Sequence, residues 1–550
     1  MRRDLSTVGL TVALLLVWAA LSPSLLPRTW WLTALNVGLS ASFGYAIGLF
    51  LAWLWRGVTR VLGLQVSMRP GAPDWLRWIW FTLLLIGTAW AWRESLRLQE
   101  EIAQLVNAQA QDQLSQALGI LGGIALFLVI LVAARALLLL WRMLNRLFRP
   151  IIPRFALSGV LATIVLLGLL MWSNHALYRQ VMEEALSWST ARNATPALDR
   201  AMPTEPERSG SPTSYESWES LGAEGQVVVA DGPRADQIEA VTGAAALEPI
   251  RVYAGKQDDR DLTETAEAIV AELERTGAFD RSVLHLATPT GSGWVQEWSL
   301  QSVEYLTGGD VASAAMQYSY FPSALAYISD RTTPAAGGRA LFEAVSERLE
   351  QLPEDARPRL VVSGESLGSY GGQSAFSSPE DMLASVDGAV WTGTPRFTPM
   401  WQQLTANRRQ GSPEIAPVID NGRHIRFVTR PEELAHDFYG GPYDEWQQPR
   451  VVYAQHASDP VVWWSPRLLV REPDWLGENV GRDVTPAMGW FTWVTFWQVA
   501  SDMPRSTDVH GGHGHSYEEE LVPIWAAVLD VPEQDWTAIQ AAIRDGILPK

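Results

Sequence analysis

The stretch "RLVVSGESLGSYGG", residues 359 to 372, sets Ser366 between Gly364 and Gly368 directly after an apolar run. A serine hydroxyl attacks a carbonyl carbon when a neighbouring base takes its proton. The Gly-x-Ser-x-Gly pattern supplies the turn for this, because a strained strand-to-helix elbow needs small residues two before and two after the nucleophile. The amide of the next residue, Leu367, then faces the site and could hold an oxyanion. The match alone is weak in a chain with 43 glycines, and the plain alternative is a serine in a glycine-rich loop. The apolar run before the motif and the helical pattern after it favour the nucleophile.

Such a serine needs a histidine base and a carboxylate to orient it, in the chain order serine, acid, histidine. The best acid downstream is Asp459 in "VVYAQHASDPVVWW", a short loop after an apolar run; Asp437 in "LAHDF" is second. The later histidines are His510, His513 and His515, all in "DVHGGHGHSYEEE". Gly-His-Ser-Tyr before a closing helix favours His515, with His513 close behind. The spacing His-x-x-His-x-His also admits a zinc site, but the complete serine order accounts for these residues better, so no metal and no cofactor is expected. The second oxyanion donor should come from a loop after an early strand. "HLATPTGSGW" places Thr290 and Gly291 there, and spacing does not choose between their amides.

Elements must position these groups. Short β-branched runs at 226–230, 249–255, 282–288, 316–320, 359–364, 386–393, 424–429 and 450–455 alternate with stretches such as "LTETAEAIVAELERTG". That alternation predicts βαβ units and a mostly parallel sheet with a buried centre. Sites in such sheets form at the carboxyl ends of the strands, where Ser366, Asp459 and the 290–291 turn all fall.

The first third differs. Five apolar segments, approximately 5–26, 31–55, 75–92, 117–141 and 155–177, each approach the roughly 20 residues that cross a bilayer. The first has signal-peptide features in "MRRD" and the run after it but no clear cleavage site, so it is expected as a span. Arg2 and Arg3, then Arg56, Arg60 and Arg69, then Arg142, Arg146, Arg149 and Arg154 mark alternate connections. The positive-inside rule makes these cytoplasmic, and five crossings put the rest of the chain outside the cytoplasm. The spans lack central Asp, Glu or Lys, and Arg135 lies where it can snorkel, which weakens a transporter function. The 24-residue connection from Arg93 carries spaced apolar residues that suit a surface helix or an extension of the next span.

Composition agrees. Apolar residues form 47% of 550 and Trp counts 27, a richness that suits aromatic belts. No cysteine is present, which removes disulfides and thiol chemistry. The net charge of −18 argues against nucleic acid. "NATPALDRAMPTEPERSGSPTSYESWES", residues 193 to 220, lacks apolar periodicity and is expected as a linker.

Taken together, "PIRVYAG", "RTGAFDR", "TPTGSGW", "GGDVASAAMQYSYFPS", "RPRLVVSGESLGS", "VDGAVWTGTP", "QHASDPVVWW", "GHGHSYEE" and the spans resemble the bacterial membrane-anchored alpha/beta-hydrolase family 9 over nearly the whole chain. One departure is "TGTP", where that family has a Gly-Pro-Pro-like turn. The resemblance implies a five-helix transmembrane domain at 1–178, a linker at 179–222 and an α/β-hydrolase domain at 223–550, with a mostly parallel sheet flanked by helices. It also implies a serine hydrolase. The expected function is an esterase or lipase of the cytoplasmic membrane whose partners are the bilayer and a lipid-like acyl ester. Acyl transfer on the same triad and a scaffold with a silent hydrolase domain are the alternatives. The Trp-dense stretch 461–503 suits an acyl-binding cap or lid if exposed, and ordinary core if packed inward.

Overall fold

The computed structural model describes residues 5–62, 74–151 and 155–547. Arg2, Arg3, Arg69 and Arg154 of the orientation argument lie outside the described residues. The chain divides into two compact units, Met1–Gln180 with Trp464–His510, and Val181–Trp463 with Gly511–Lys550.

The first unit contains the N-terminal helices α1 (Thr7–Ala20), α2 (Trp30–Val61), α3 (Asp74–Leu105) and α4 (Gln113–Phe148) and the longer part of α5 (Phe155–Asn193), whose last turns, from Val181, belong to the second unit. Helices α2, α4 and α5 are long and apolar enough to cross a membrane. Helix α1 has 14 residues, at ~1.5 Å each short of a ~30 Å hydrocarbon core. The five expected spans are therefore five helices, three of which satisfy length and composition among the described residues. The segment after Trp92 continues α3 to Leu105 and buries Leu98 and Ile102; it extends the preceding helix, not the next. Small residues bring the helices together: a methyl on Gly44 would lie 2.8 Å from the Ala13 Cα, and one on Gly123 would lie 2.5 Å from Val37.

The Trp-dense insertion belongs to this same unit. Its helix Val494–Asp502 packs on α1 and α2. Phe43 of α2 stacks on Trp493 at 4.3 Å, Asn36 donates to Ser501 at 2.6 Å, and Thr485 donates to Glu101. Asp502, fully buried, accepts from Ser24 Oγ at 3.1 Å and the Leu25 amide at 2.9 Å. The expected catalytic span 223–550 is thus interrupted: Trp464–His510 completes the helical unit. Trp475 and Val494 are core, while Phe491 stays exposed.

The second unit is built on seven parallel strands, β1 (Ile250–Ala254), β2 (Val283–Thr288), β3 (Val311–Met316), β4 (Arg359–Glu365), β5 (Gly388–Thr392), β6 (Ile425–Val428) and β7 (Arg450–Ala454). Their order is β1-β3-β2-β4-β5-β7-β6. β4 lies at the centre, with Val361 opposite Gly388 of β5 and Thr288 of β2 opposite Gly364. All of its residues but the first are buried, as expected of a strand covered on both faces. On one face Val361, Val390 and Val452 join Leu521, Trp525 and Val528 of the closing helix Leu521–Leu529 in one core.

Two expected strands are corrected. "QVVVA" lies in the helix Gly222–Ala230, because Leu221, Gly225, Val228 and Val229 are buried at helical spacing and tertiary packing overrides β-branched preference. "MQYSY" is mostly loop; the strand is the preceding "VASAAM", whose alanines hide its type. The stretch expected as a linker is packed. Arg208, fully buried, donates to the Val229 and Asp231 carbonyls at 3.0 and 2.6 Å, and Ser209 donates to Glu272 at 2.8 Å.

Candidate active site

β4 ends at Glu365, and the helix Leu367–Gln373 begins two residues on, with Ser366 alone between them. Ser366 makes the turn at φ 55°, ψ −120°, a strained conformation for a residue with a Cβ. Its amide donates to the Thr392 carbonyl at 3.0 Å, which ties the elbow to the end of β5. Both flanking glycines are required by contact. A Cβ on Gly364 would lie 2.5 Å from the Gly368 carbonyl carbon, and one on Gly368 would lie 2.2 Å from the Thr288 carbonyl oxygen. The elbow therefore closes on itself and on the end of β2. As the first residue of its helix, Leu367 has an N–H without an intrahelical acceptor.

Asp459 follows β7 through a buried loop and is itself fully buried. One carboxylate oxygen, Oδ1, accepts from the Val461 amide at 2.8 Å. The other, Oδ2, accepts from His515 Nδ1 at 2.7 Å and from the Tyr517 hydroxyl at 2.8 Å. Because the carboxylate only accepts, a neutral His515 carries its proton on Nδ1 and keeps a lone pair on Nε2. The loop holding His515 is sewn to the acid loop: Gly514 donates its amide to Ser458 Oγ at 2.8 Å, and His456 Nδ1 donates to the Gly514 carbonyl at 2.9 Å.

The His515 ring rests on the turn after β5. A Cβ on Gly393, at φ 54°, would lie 2.4 Å from its Cε1. The Ser366 amide and the His515 ring thus border consecutive residues, Thr392 and Gly393. This also accounts for "TGTP": glycine leaves room for the imidazole, and Thr394 shares a 2.7 Å hydrogen bond with Ser369 of the elbow helix.

Burial lowers the His515 pKa, but the charge and hydrogen bond of Asp459, aided by Glu365, outweigh it and leave the pKa above the ordinary 6.5. Glu365, inside the motif itself, is buried and accepts from Gln296 Nε2 at 2.7 Å. Burial pushes its carboxyl up to about 7, against the opposing pull of His515 and the Gln296 bond. Glu365, Gln296, His456 and Tyr517 escaped the sequence argument. Only Glu365, next to Ser366, and Tyr517, two residues after His515, stood where a motif could have drawn attention.

The remaining candidates separate. His513 is half-buried and its backbone closes a turn with Ser516; it makes no hydrogen bond to Asp459. His510 is exposed and falls in the other compact unit. Asp437 pairs with Arg409 and caps a turn through the amides of Tyr439 and Gly441, a structural carboxylate. The Thr290 amide donates to the Trp294 carbonyl at 2.8 Å and is corrected as an oxyanion donor, since a backbone turn consumes it. The Gly291 amide makes a longer, 3.3 Å bond to Ser323 Oγ. Among the described residues no three His, Cys, Asp or Glu side chains are grouped to hold a metal.

Residues 250–543 match the alpha/beta-hydrolase family, and residues 21–233 match the N-terminal region of that family. Among solved structures, an acetylxylan esterase is 17% identical, covers 33% of this chain and 85% of its own, and has a TM-score of 0.21, too slight a likeness to carry an argument. No curated protein matches.

Proposed function

The chain belongs to the alpha/beta-hydrolase family, and on that premise we propose a membrane-anchored serine hydrolase that cleaves lipid-like acyl esters outside the cytoplasm. The observation that carries the chemistry is the 2.7 Å bond from His515 to Asp459, made where the base's ring and the elbow of Ser366 share the end of β5.

In this mechanism Ser366 Oγ attacks the acyl carbonyl while His515 Nε2 takes its proton. Asp459 holds the imidazole in the productive tautomer and balances its charge. The oxyanion is held by the Leu367 amide and by the Gly291 amide, which exchanges its long bond to Ser323. The imidazolium returns its proton to the leaving alcohol. Water, deprotonated by His515, then frees the acid from Ser366.

The membrane placement rests on the arginines. Arg56 and Arg60 end α2, and Arg142 and Arg146 end α4. For both basic ends to lie in the cytoplasm the chain must return between them, which assigns α3 a crossing. Helix α5 then carries the hydrolase unit outside, whatever α1 does. A periplasmic reporter fused after Ser220 tests this: activity supports the placement, and a signal only from a cytoplasmic reporter reverses it. A panel of lipid and short-chain esters, with an added acceptor alcohol, tests the reaction. Free acid as the product supports hydrolysis, and a new ester would make the protein an acyltransferase.

A further inference from the structure

The catalytic apparatus leaves unused a cavity of about 120 Å³ on the second unit. Its walls include Trp188, Ser189 and Arg192 from the last turns of α5, Glu224, Ser292 and Tyr320. Ser292 follows Gly291, whose own Cα leaves so little space that a Cβ would lie 2.5 Å from the Phe321 carbonyl oxygen and 2.9 Å from the Ser323 amide. Gln317 donates through Nε2 to Asn193 Oδ1 at 2.9 Å and to the Ser292 carbonyl at 2.6 Å, which fastens the end of α5 to the same turn. The cavity is therefore built against the loop that meets the elbow at Gly368.

Two features point to an occupant. Ser189 is 3% exposed and its hydroxyl has no hydrogen-bond partner among the described residues, a costly state unless something else supplies one. Arg192 lies over the Trp188 ring, 5.6 Å from its centre, and forms no ion pair among the described residues. The lining mixes donors and acceptors, and its single cation is matched by the carboxylate of Glu224. A cavity of that kind does not select net charge. It suits hydroxyl groups, which both give and take hydrogen bonds, with Trp188 and Tyr320 offering faces to C–H groups.

We propose that this cavity binds a polyol, the glycerol or sugar half of an ester whose acyl carbon is presented to Ser366. The proposal rests on the esterase function above for its second clause, while binding of the polyol stands by itself. The assignment makes the end of α5 part of the substrate site, so the helix expected to leave the membrane also shapes what the enzyme selects.

Full-length protein in lipid nanodiscs is titrated with methyl glucoside, and binding is read by saturation-transfer NMR. The proposal expects saturable transfer that glycerol displaces, a loss of at least fivefold in Ala223→Phe, which fills the cavity, and a severalfold weaker affinity in Ser189→Ala, which removes only the unpartnered hydroxyl. Absence of transfer, transfer unchanged in both variants, or displacement by inorganic phosphate in place of glycerol overturns it. In parallel, the ratio of kcat/KM for monobutyrylglycerol to that for p-nitrophenyl butyrate should fall at least fivefold in Ala223→Phe. An unchanged ratio in an active enzyme refutes the cavity's role in selection. Wild type that binds glucoside but cleaves neither ester removes the esterase function and leaves the polyol site standing.

Discussion

His515 Nδ1 lies 2.7 Å from Asp459 Oδ2, and the Tyr517 hydroxyl reaches the same oxygen at 2.8 Å. The carboxylate thus orients its histidine while a second donor fixes the carboxylate. Asp459→Asn should reverse the tautomer and lower turnover of a short-chain ester by ~10³–10⁴. Tyr517→Phe removes two buried hydrogen bonds, the one to Asp459 and the one accepted from the His456 amide at 3.2 Å, about 0.5–1.5 kcal/mol each, and should lower kcat/KM far less than Asp459→Asn does. Equal losses in the two variants would mean that Tyr517 does more than hold Asp459.

His515 and Glu365, the two titrating groups near Ser366, predict a pH dependence. Imidazolium cannot accept the Ser366 proton, so kcat/KM should fall as pH drops through a His515 pKa lying above 6.5. Glu365, with a pKa near 7, favours the imidazolium once ionised. Glu365→Gln removes that negative charge and should move the acid limb to lower pH. A limb that stays in place, or moves up, would show that Glu365 does not act on His515.

The elbow predicts a steric cost. The methyl of Gly368→Ala would meet the Thr288 carbonyl oxygen at 2.2 Å, and relief requires the β2 loop or the helix to shift. Overpacking of this kind costs about 1–3 kcal/mol and should abolish turnover even in molecules that fold. Gly168→Ala on α5, where a methyl meets nothing within 4 Å, is the silent comparison in the same thermal-unfolding assay.

The insertion predicts a stability effect far from the chemistry. Asp502 accepts hydrogen bonds from Ser24 and Leu25, and Arg28, buried nearby, donates to Ser24 Oγ at 3.1 Å. Asp502→Ala takes the acceptor from the buried Ser24 hydroxyl and Leu25 amide, a change worth about 1–3 kcal/mol for each donor left unsatisfied. Thermal unfolding in detergent should show a lowered midpoint, and limited proteolysis should open the chain within 464–510. An unchanged midpoint would indicate that the insertion is held by its aromatic contacts alone.

The parts of the site that were legible in the sequence are those whose chemistry is local. The elbow needs Gly364 and Gly368 two residues from Ser366, and the serine, acid and histidine follow in a readable order. Asp459 and His515 each sit beside a strand end or a helix start that periodicity reveals. What was not legible depends on distant partners. The Thr290 amide is consumed by Trp294 across a turn, and no residue type announces it. Asn36 of α2 meets Ser501 across most of the chain length, so the insertion carried no sign that it completes the N-terminal helices. Arg208, in a segment rich in Pro, Ser and Glu, has the composition of a linker and the burial of a core residue, because its partners are backbone carbonyls that composition does not record.

The most direct test of the central claim is labelling of membranes by a fluorophosphonate probe, which reacts with activated serines. Wild type should be labelled, Ser366→Ala should not, and His515→Ala should lose the label while His513→Ala keeps it. Folded wild type that takes no label, or label that survives in Ser366→Ala, would contradict the assignment of Ser366 as the nucleophile.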